Sequence, residues 1–271
     1  MTQLMEHTRR SFNLHNDDKG DYSIEIDPRS VSRNDINFLR DLGFNRYSLG
    51  VQDVNHDVQV AVNRVQPIDE TQAIIDACRD AEVHSINVDL IYGLPFQTVD
   101  SFERTLDAVI EMSPDRLSVF NYAHLPHLFK PQRRINAEDL PEPSEKLEIL
   151  KLSIQKLTNA GYVYVGMDHF AKPDDELVIA QDAGRLHRNF QGYSTHEGCD
   201  LVAMGVSSIS KVGNTYSQNA KTLEEYYTFI DRGELPIIKG ISLNADDLLR
   251  REVIQRLTCD FAVDFEDYER R

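Results

Sequence analysis

Residues 87–120, NVDLIYGLPFQTVDSFERTLDAVIEMSPDRLSVF, decide the fold of this 271-residue chain, because they spell out a strand, a helix and a second strand in succession. The run 87–92 (NVDLIY) is short and rich in β-branched and aromatic residues, and Gly93 and Pro95 turn the chain after it. From Thr98 to Met112, Phe102, Leu106, Val109 and Ile110 recur at helical spacing, which predicts an amphipathic helix. Residues 116–120 (RLSVF) then return to a strand. A strand, a crossover helix and a further strand make a βαβ unit, whose strands run parallel and whose crossover is right-handed.

The same alternation continues on both sides. Upstream, residues 22–27 (YSIEID) read as a strand, and Ser32 with Asp35 three residues on resembles a capping box for a helix carrying Ile36, Leu39 and Leu42. Gly43 ends that helix, and residues 46–51 (RYSLGV) form the next strand. Short helical material follows, then a helix from about residue 69 to 81 with Ile74, Ile75 and Cys78 on its apolar face, which makes Cys78 a core residue. Downstream, a proline- and charge-rich excursion over 126–143 leads into a helix at 144–159 and a strand at 162–165. Strands alternating with helices at a repeat of roughly 30 residues define an α/β fold with a parallel sheet. Polar residues close to strand C-terminal ends, namely Glu25, Asp27, Gln52, Asp89 and Asn121, favour a (β/α) barrel, where active sites gather at that end. Only about five strands are legible, so the barrel is expected to be partial. Two domains are expected: residues 1–166, the partial barrel, and residues 167–271, loop-rich and then mostly helical, with helices near 222–232 and 246–259. The chain stops at residues 268–271 without a compact terminal element, and both ends are expected to be cut.

Composition narrows the function classes. A 41% hydrophobic content suits a soluble enzyme-sized body, and a net charge of -16 argues against a nucleic-acid partner, which calls for a basic surplus. No run approaches the roughly 18 apolar residues of a membrane span, and the N-terminus lacks the apolar core of a signal peptide. Three cysteines, Cys78, Cys199 and Cys259, are too widely spaced for a disulfide framework or a local metal motif. A cytoplasmic location is the expectation.

Residues 167–193, MDHFAKPDDELVIAQDAGRLHRNFQGY, pack polar and aromatic residues together with little core periodicity, as a ligand-binding segment would. Taken with SLGVQD (48–53), NVDLIYGLP (87–95), DRLSVFNYAHLP (115–126), GMDHFAKPDDEL (166–177) and HRNFQGY (187–193), the chain resembles oxygen-independent coproporphyrinogen III oxidase, a family of radical S-adenosylmethionine enzymes. The resemblance runs collinearly over nearly the whole chain. It implies that a reduced four-iron four-sulfur cluster splits S-adenosylmethionine and that the resulting radical takes hydrogen from a propionate of coproporphyrinogen III. Carbon dioxide then leaves, and two such rounds give protoporphyrinogen IX in haem synthesis. An external electron donor and acceptor and a monomeric enzyme are also implied.

By the same resemblance, Glu25, Gln52, Arg64 and Asp89 correspond to polar contacts of a first S-adenosylmethionine, with Phe120 in the same pocket. The carboxylates can accept hydrogen bonds from ribose hydroxyls or the methionyl ammonium, and Arg64 can pair with the methionyl carboxylate. Ile91, Ala123, Phe190, Gln191 and Ile209 match positions lining a second S-adenosylmethionine site. Beside Ile209, the small residues of 204–208 (MGVSS) would let backbone approach a ligand closely. Lys130, Arg133 and Arg134 form a local basic cluster that could receive propionates. The family's CxxxCxxC cluster motif and the glycine-rich segment after it are absent from this sequence, so no metal ligand is assigned, and the chain is expected to be a piece of a longer enzyme that is inactive alone.

Three other readings compete. A related haem chaperone carries a motif with tryptophan where this chain has HRNFQGY, and the chain has no tryptophan. A non-catalytic tetrapyrrole- or nucleoside-binding protein would use His124, His127, His169 or His187 as a haem ligand. A metal hydrolase built on His124, His127, Asp168 and His169 suffers from the proline inside HLPH, which opposes helical presentation of paired ligands.

Overall fold

A computed structural model describes residues 1–15 and 17–269, in two compact units, Met1–Asp175 and Glu176–Arg271. The expectation about the chain end at Arg270 and Arg271 lies outside the described residues. No helix among the described residues is long and apolar enough to cross a membrane.

The first unit opens with helix α1 (Thr2–Ser11) and then alternates β1 (Ser23–Ile26), α2 (Arg33–Asp41), β2 (Arg46–Gln52), α3 (His56–Ala61), α4 (Ile68–Asp80), β3 (Ser85–Tyr92), α5 (Val99–Met112), β4 (Arg116–Asn121), α6 (Pro143–Asn159), β5 (Val163–Gly166) and β6 (His169–Ala171). The sheet order is β1-β2-β3-β4-β6-β5. Strands β1 to β4 pair in parallel, as the helical crossovers require. At the far edge the expectation fails: β5 does not pair with β4. The three-residue β6, which lies beyond the domain boundary expected at residue 166, is inserted antiparallel between them. A tight connection of two residues permits a hairpin but not a parallel return.

Alternation along the strands separates two faces. Tyr47, Leu49, Val51, Ile86, Val88, Leu90, Leu117, Val119 and Phe170 are buried on one face, in the core that also takes Ile36 and Leu39 of α2, Ile75 and Cys78 of α4, Phe102 and Leu106 of α5 and Ile149 and Leu157 of α6. Burying such apolar surface supplies about 25 cal/mol per Å2, the main force holding the helices on the sheet. The Ser32–Asp35 capping box forms as expected, and Thr98 with Ser101 caps α5 in the same way. Gly43, at φ +100°, takes the left-handed turn after α2 that only glycine adopts freely.

The second unit has both expected helices, near 222–232 and 246–259, and adds short strands that the sequence reading did not anticipate. Besides α7 (Glu176–Asp182), α8 (Leu223–Asp231), α9 (Ala245–Cys259) and α10 (Phe265–Glu269), it contains a hairpin of β7 (His187–Asn189) and β8 (Gly192–Ser194). An antiparallel sheet, ordered β11-β10-β9, joins β9 (Ile209–Val212), β10 (Thr215–Asn219) and β11 (Ile237–Ser242). Helix α9 anchors the hairpin: Gln255 accepts from Arg188 N at 2.9 Å and donates to Arg188 O at 2.5 Å, and Tyr193 Oη donates to Thr258 O at 2.7 Å.

Candidate functional site

The face of the first sheet opposite the core is polar. Register places Glu25 beside Ser48, Ser48 beside Asn87 and Asn87 beside Arg116 in one row. The next row runs Gly50, Asp89, Ser118 and His169, and a third pairs Ile91 with Phe120. Because side chains repeat every two residues along a strand, Glu25, Asp89, Ile91 and Phe120 all project from this one face.

Asp89 is held from two sides. Ser48 Oγ donates to its Oδ2 at 2.8 Å, and Asn87 Nδ2 donates to its Oδ1 at 2.7 Å. The Glu25 side chain, by contrast, is exposed and makes no hydrogen bond or ion pair among the described residues. Phe120 packs edge-on against His169, with ring centroids 5.9 Å apart.

At the C-terminal end of β2 the backbone is distorted. Gln52 sits at φ +69°, a left-handed conformation costly for a residue with a side chain, and the register with β3 shifts between Gly50 and Gln52. The distortion folds the Gln52 amide back over Gly50, where an added Cβ would lie 2.8 Å from Gln52 Nε2 and 3.2 Å from Arg64 Nη2. Arg64 itself donates from Nη2 to Gly50 O at 2.7 Å and from Nη1 to Asp27 Oδ2 at 3.0 Å, while its buried Nε has no hydrogen-bond partner. Arg64 therefore reaches the site already paired with Asp27. Arg29, together with Arg64, lowers the Asp27 carboxyl to a pKa of about 2.

A further carboxylate supports the strand ends. Asp53 is buried, and it accepts from Asn55 N at 2.7 Å, Thr105 Oγ1 at 2.7 Å and Gln97 Nε2 at 2.5 Å. Burial pushes its pKa up, against these hydrogen bonds. Gln97 also donates to Ile91 O at 2.8 Å and accepts from Leu94 N at 2.9 Å, tying the turn after β3 to the end of β2. Sequence reasoning singled out neither Asp53 nor the pair Ser48 and Asn87. The period-two recurrence of polar residues within each strand, at 46 and 48, 87 and 89, and 116 and 118, was the signal that could have found the latter pair.

The remaining expected residues fall in two places. Ala123 is exposed after β4, its carbonyl accepting from Gln132 Nε2 at 3.0 Å. Lys130, Arg133 and Arg134 lie exposed on a short 3-10 helix, where Arg133 Nε donates to Pro126 O at 3.0 Å. In the second unit, Phe190 at the β7–β8 turn is exposed and stacks edge-on with Tyr216 at 5.5 Å. Gln191 is exposed beside it, and Ile209 begins β9. Asn219 Nδ2 donates to Gly205 O and Ser208 Oγ, each at 3.0 Å, and so fixes the small-residue loop before β9.

Known proteins resemble this chain over nearly its whole length. Residues 3–109 match the radical SAM superfamily, the class to which the protein belongs. Within the class, the chain belongs to the oxygen-independent coproporphyrinogen III oxidases. It is 57% identical over 269 residues to the enzyme of that name from Pseudomonas aeruginosa, covering 99% of this chain and 58% of the relative. The relative from Thermostichus vulcanus is 48% identical, with 89% of this chain and 75% of that protein covered. The solved structure of coproporphyrinogen III oxidase from Escherichia coli, a radical SAM enzyme, superposes with a TM-score of 0.95 at 49% identity, over 99% of this chain and 62% of that one. The chain thus spans a little under two thirds of the length of that structure and of the Pseudomonas relative.

An iron–sulfur cluster, which the family implies, does not fit the residues present. Cys78 faces the core from α4 and its thiol is pushed by burial up to about 12, Cys259 is buried in the second unit, and only Cys199 is exposed. Among the described residues no three His, Cys, Asp or Glu are grouped to hold a metal ion. S-adenosylmethionine does fit: the polar face offers the unpaired carboxylate of Glu25, the fixed carboxylate of Asp89 and the guanidinium of Arg64.

Proposed function

We propose that this chain provides the S-adenosylmethionine- and substrate-handling part of an enzyme converting coproporphyrinogen III to protoporphyrinogen IX. The reaction is oxidative decarboxylation of two propionates, in anaerobic porphyrin synthesis in the cytoplasm, with an external electron donor and acceptor. The observation that carries this reading is the shared sheet face of Glu25, Asp89, Ile91 and Phe120, with Gln52 and Arg64 folded over Gly50 at its end. The bound cofactors supply the radical chemistry, so the tasks of this chain are binding, orientation and exclusion of side reactions.

Glu25 and Asp89 accept hydrogen bonds from the ribose hydroxyls and methionyl ammonium of a first S-adenosylmethionine, and Phe120 packs beside it. Gln52 adds an amide contact. Arg64 reaches the methionyl carboxylate with donor capacity left over from Asp27 and Gly50. In the first unit, Ile91 and Ala123 contact a second S-adenosylmethionine, and Lys130, Arg133 and Arg134 receive propionates of the substrate.

The test is a chimera in which the matching segment of the Pseudomonas aeruginosa relative is replaced by this chain. Assayed without oxygen, the chimera is expected to convert coproporphyrinogen III, and Asp89→Asn within it to lose about tenfold or more, the scale of one charge-assisted hydrogen bond. A folded, cluster-loaded chimera that leaves coproporphyrinogen III untouched would overturn the reading.

A further inference from the structure

Asn87 stands two residues before Asp89 on β3, so the two side chains share the polar face. Asn87 Nδ2 donates both to Asp89 Oδ1, at 2.7 Å, and to Ser48 Oγ on β2, at 2.8 Å. Ser48 commits its one hydroxyl donor to Asp89 Oδ2 at 2.8 Å. Ser118 on β4 closes the ladder by donating to Asn87 Oδ1 at 3.2 Å. The orientation of the Asn87 amide is dictated by its neighbours, because a flipped amide would set its oxygen against a carboxylate oxygen.

Each Asp89 oxygen is therefore fixed by one donor, and a lone pair on each is left for a ligand. Both donors sit on strands of the same sheet, which is a rigid support. A carboxylate already locked in its binding rotamer loses less side-chain freedom when a ligand arrives.

We propose that Asn87 and Ser48 are positioning residues that hold the Asp89 carboxylate ready for S-adenosylmethionine. The inference rests on Asp89 being a cofactor contact, as argued above. It assigns the two neutral residues a role in affinity rather than in sheet packing.

The experiment is calorimetric titration of S-adenosylmethionine into the full chain and into Asn87→Ala, Ser48→Ala, Ser48→Thr, Asp89→Asn and the double variant Ser48→Ala/Asp89→Asn. Thermal melting runs alongside as a check of folding. Asn87→Ala and Ser48→Ala are each expected to weaken binding by about tenfold, as loss of an orienting hydrogen bond to a charged group would. Ser48→Thr, which keeps the hydroxyl, is expected to bind as the parent does, and the double variant to be no weaker than Asp89→Asn alone. A purely structural role would not produce that rescue or that non-additivity. If Asp89→Asn weakens binding while Asn87→Ala and Ser48→Ala do not, the positioning role is wrong and the cofactor role of Asp89 stands. If Asp89→Asn binds as the parent, the cofactor reading itself falls, and the inference with it. Should Asn87→Ala not fold, the Ser48→Ala and Ser48→Thr pair decides the outcome.

Discussion

Asp27 illustrates how single residues tie local structure to the site. Its side chain caps the short 3-10 turn after β1 by accepting from Arg29 N at 3.1 Å, and it pairs with Arg29 Nη2 at 2.7 Å and with Arg64 Nη1 at 3.0 Å. The Arg29 contact is the largest cause of its lowered pKa, and Arg64 adds to it. A carboxylate whose pKa is lower in the folded chain than its ordinary 3.8 stabilises the fold above that value, and the contribution is lost as pH falls toward about 2. Asp27→Asn should therefore melt below the parent at neutral pH, with the gap shrinking between about pH 4 and pH 2. Thermal denaturation across that range checks it; a gap independent of pH would show that the pairing contributes nothing. Sequence alone made Asp27 one strand-end polar residue among several. Its engagement with Arg64 was not legible, because the two are far apart in the chain and meet only when β1 and β2 pair.

Elements were legible where their periodicity was long enough to read. Helix α5, with its apolar stripe, emerged with its buried residues nearly complete; Met112 and Thr105 joined Phe102, Leu106 and Val109 in the core, while Ile110 is only half-buried. Leu106 is wholly buried, so Leu106→Ala should cost about 2–5 kcal/mol of stability. Urea denaturation would measure this, and a loss well under 1 kcal/mol would contradict the packing described. Strand β6 escaped notice for the opposite reason. Three residues, His169 to Ala171, cannot display an alternation, and their polar and aromatic character reads equally well as a ligand loop. Strands β7 and β8 are as short, and β11 is exposed along its whole length, so neither carries the buried-exposed signature that marks a strand in sequence.

At the scale of the molecule, the parallel alternation of strands and helices follows from local spacing, whereas the assembly of a site follows from register. Glu25, Asp89, Ile91 and Phe120 come from three strands, and only parallel pairing in the observed register brings them to one face. The family resemblance named those positions without a physical account of why they converge; the sheet supplies one. It also shows what the resemblance left out, namely the Ser48–Asn87 ladder that fixes Asp89 and the buried Asp53 that ties the turn after β3 to the end of β2. A crystal structure of this chain with S-adenosylmethionine would decide whether the polar sheet face is the cofactor site. The nucleoside and methionyl groups are expected on the polar sheet face, within hydrogen-bond reach of Asp89 and Glu25 and beside Gly50. Density for the cofactor elsewhere, with Asp89 contacting only Ser48 and Asn87, would contradict it.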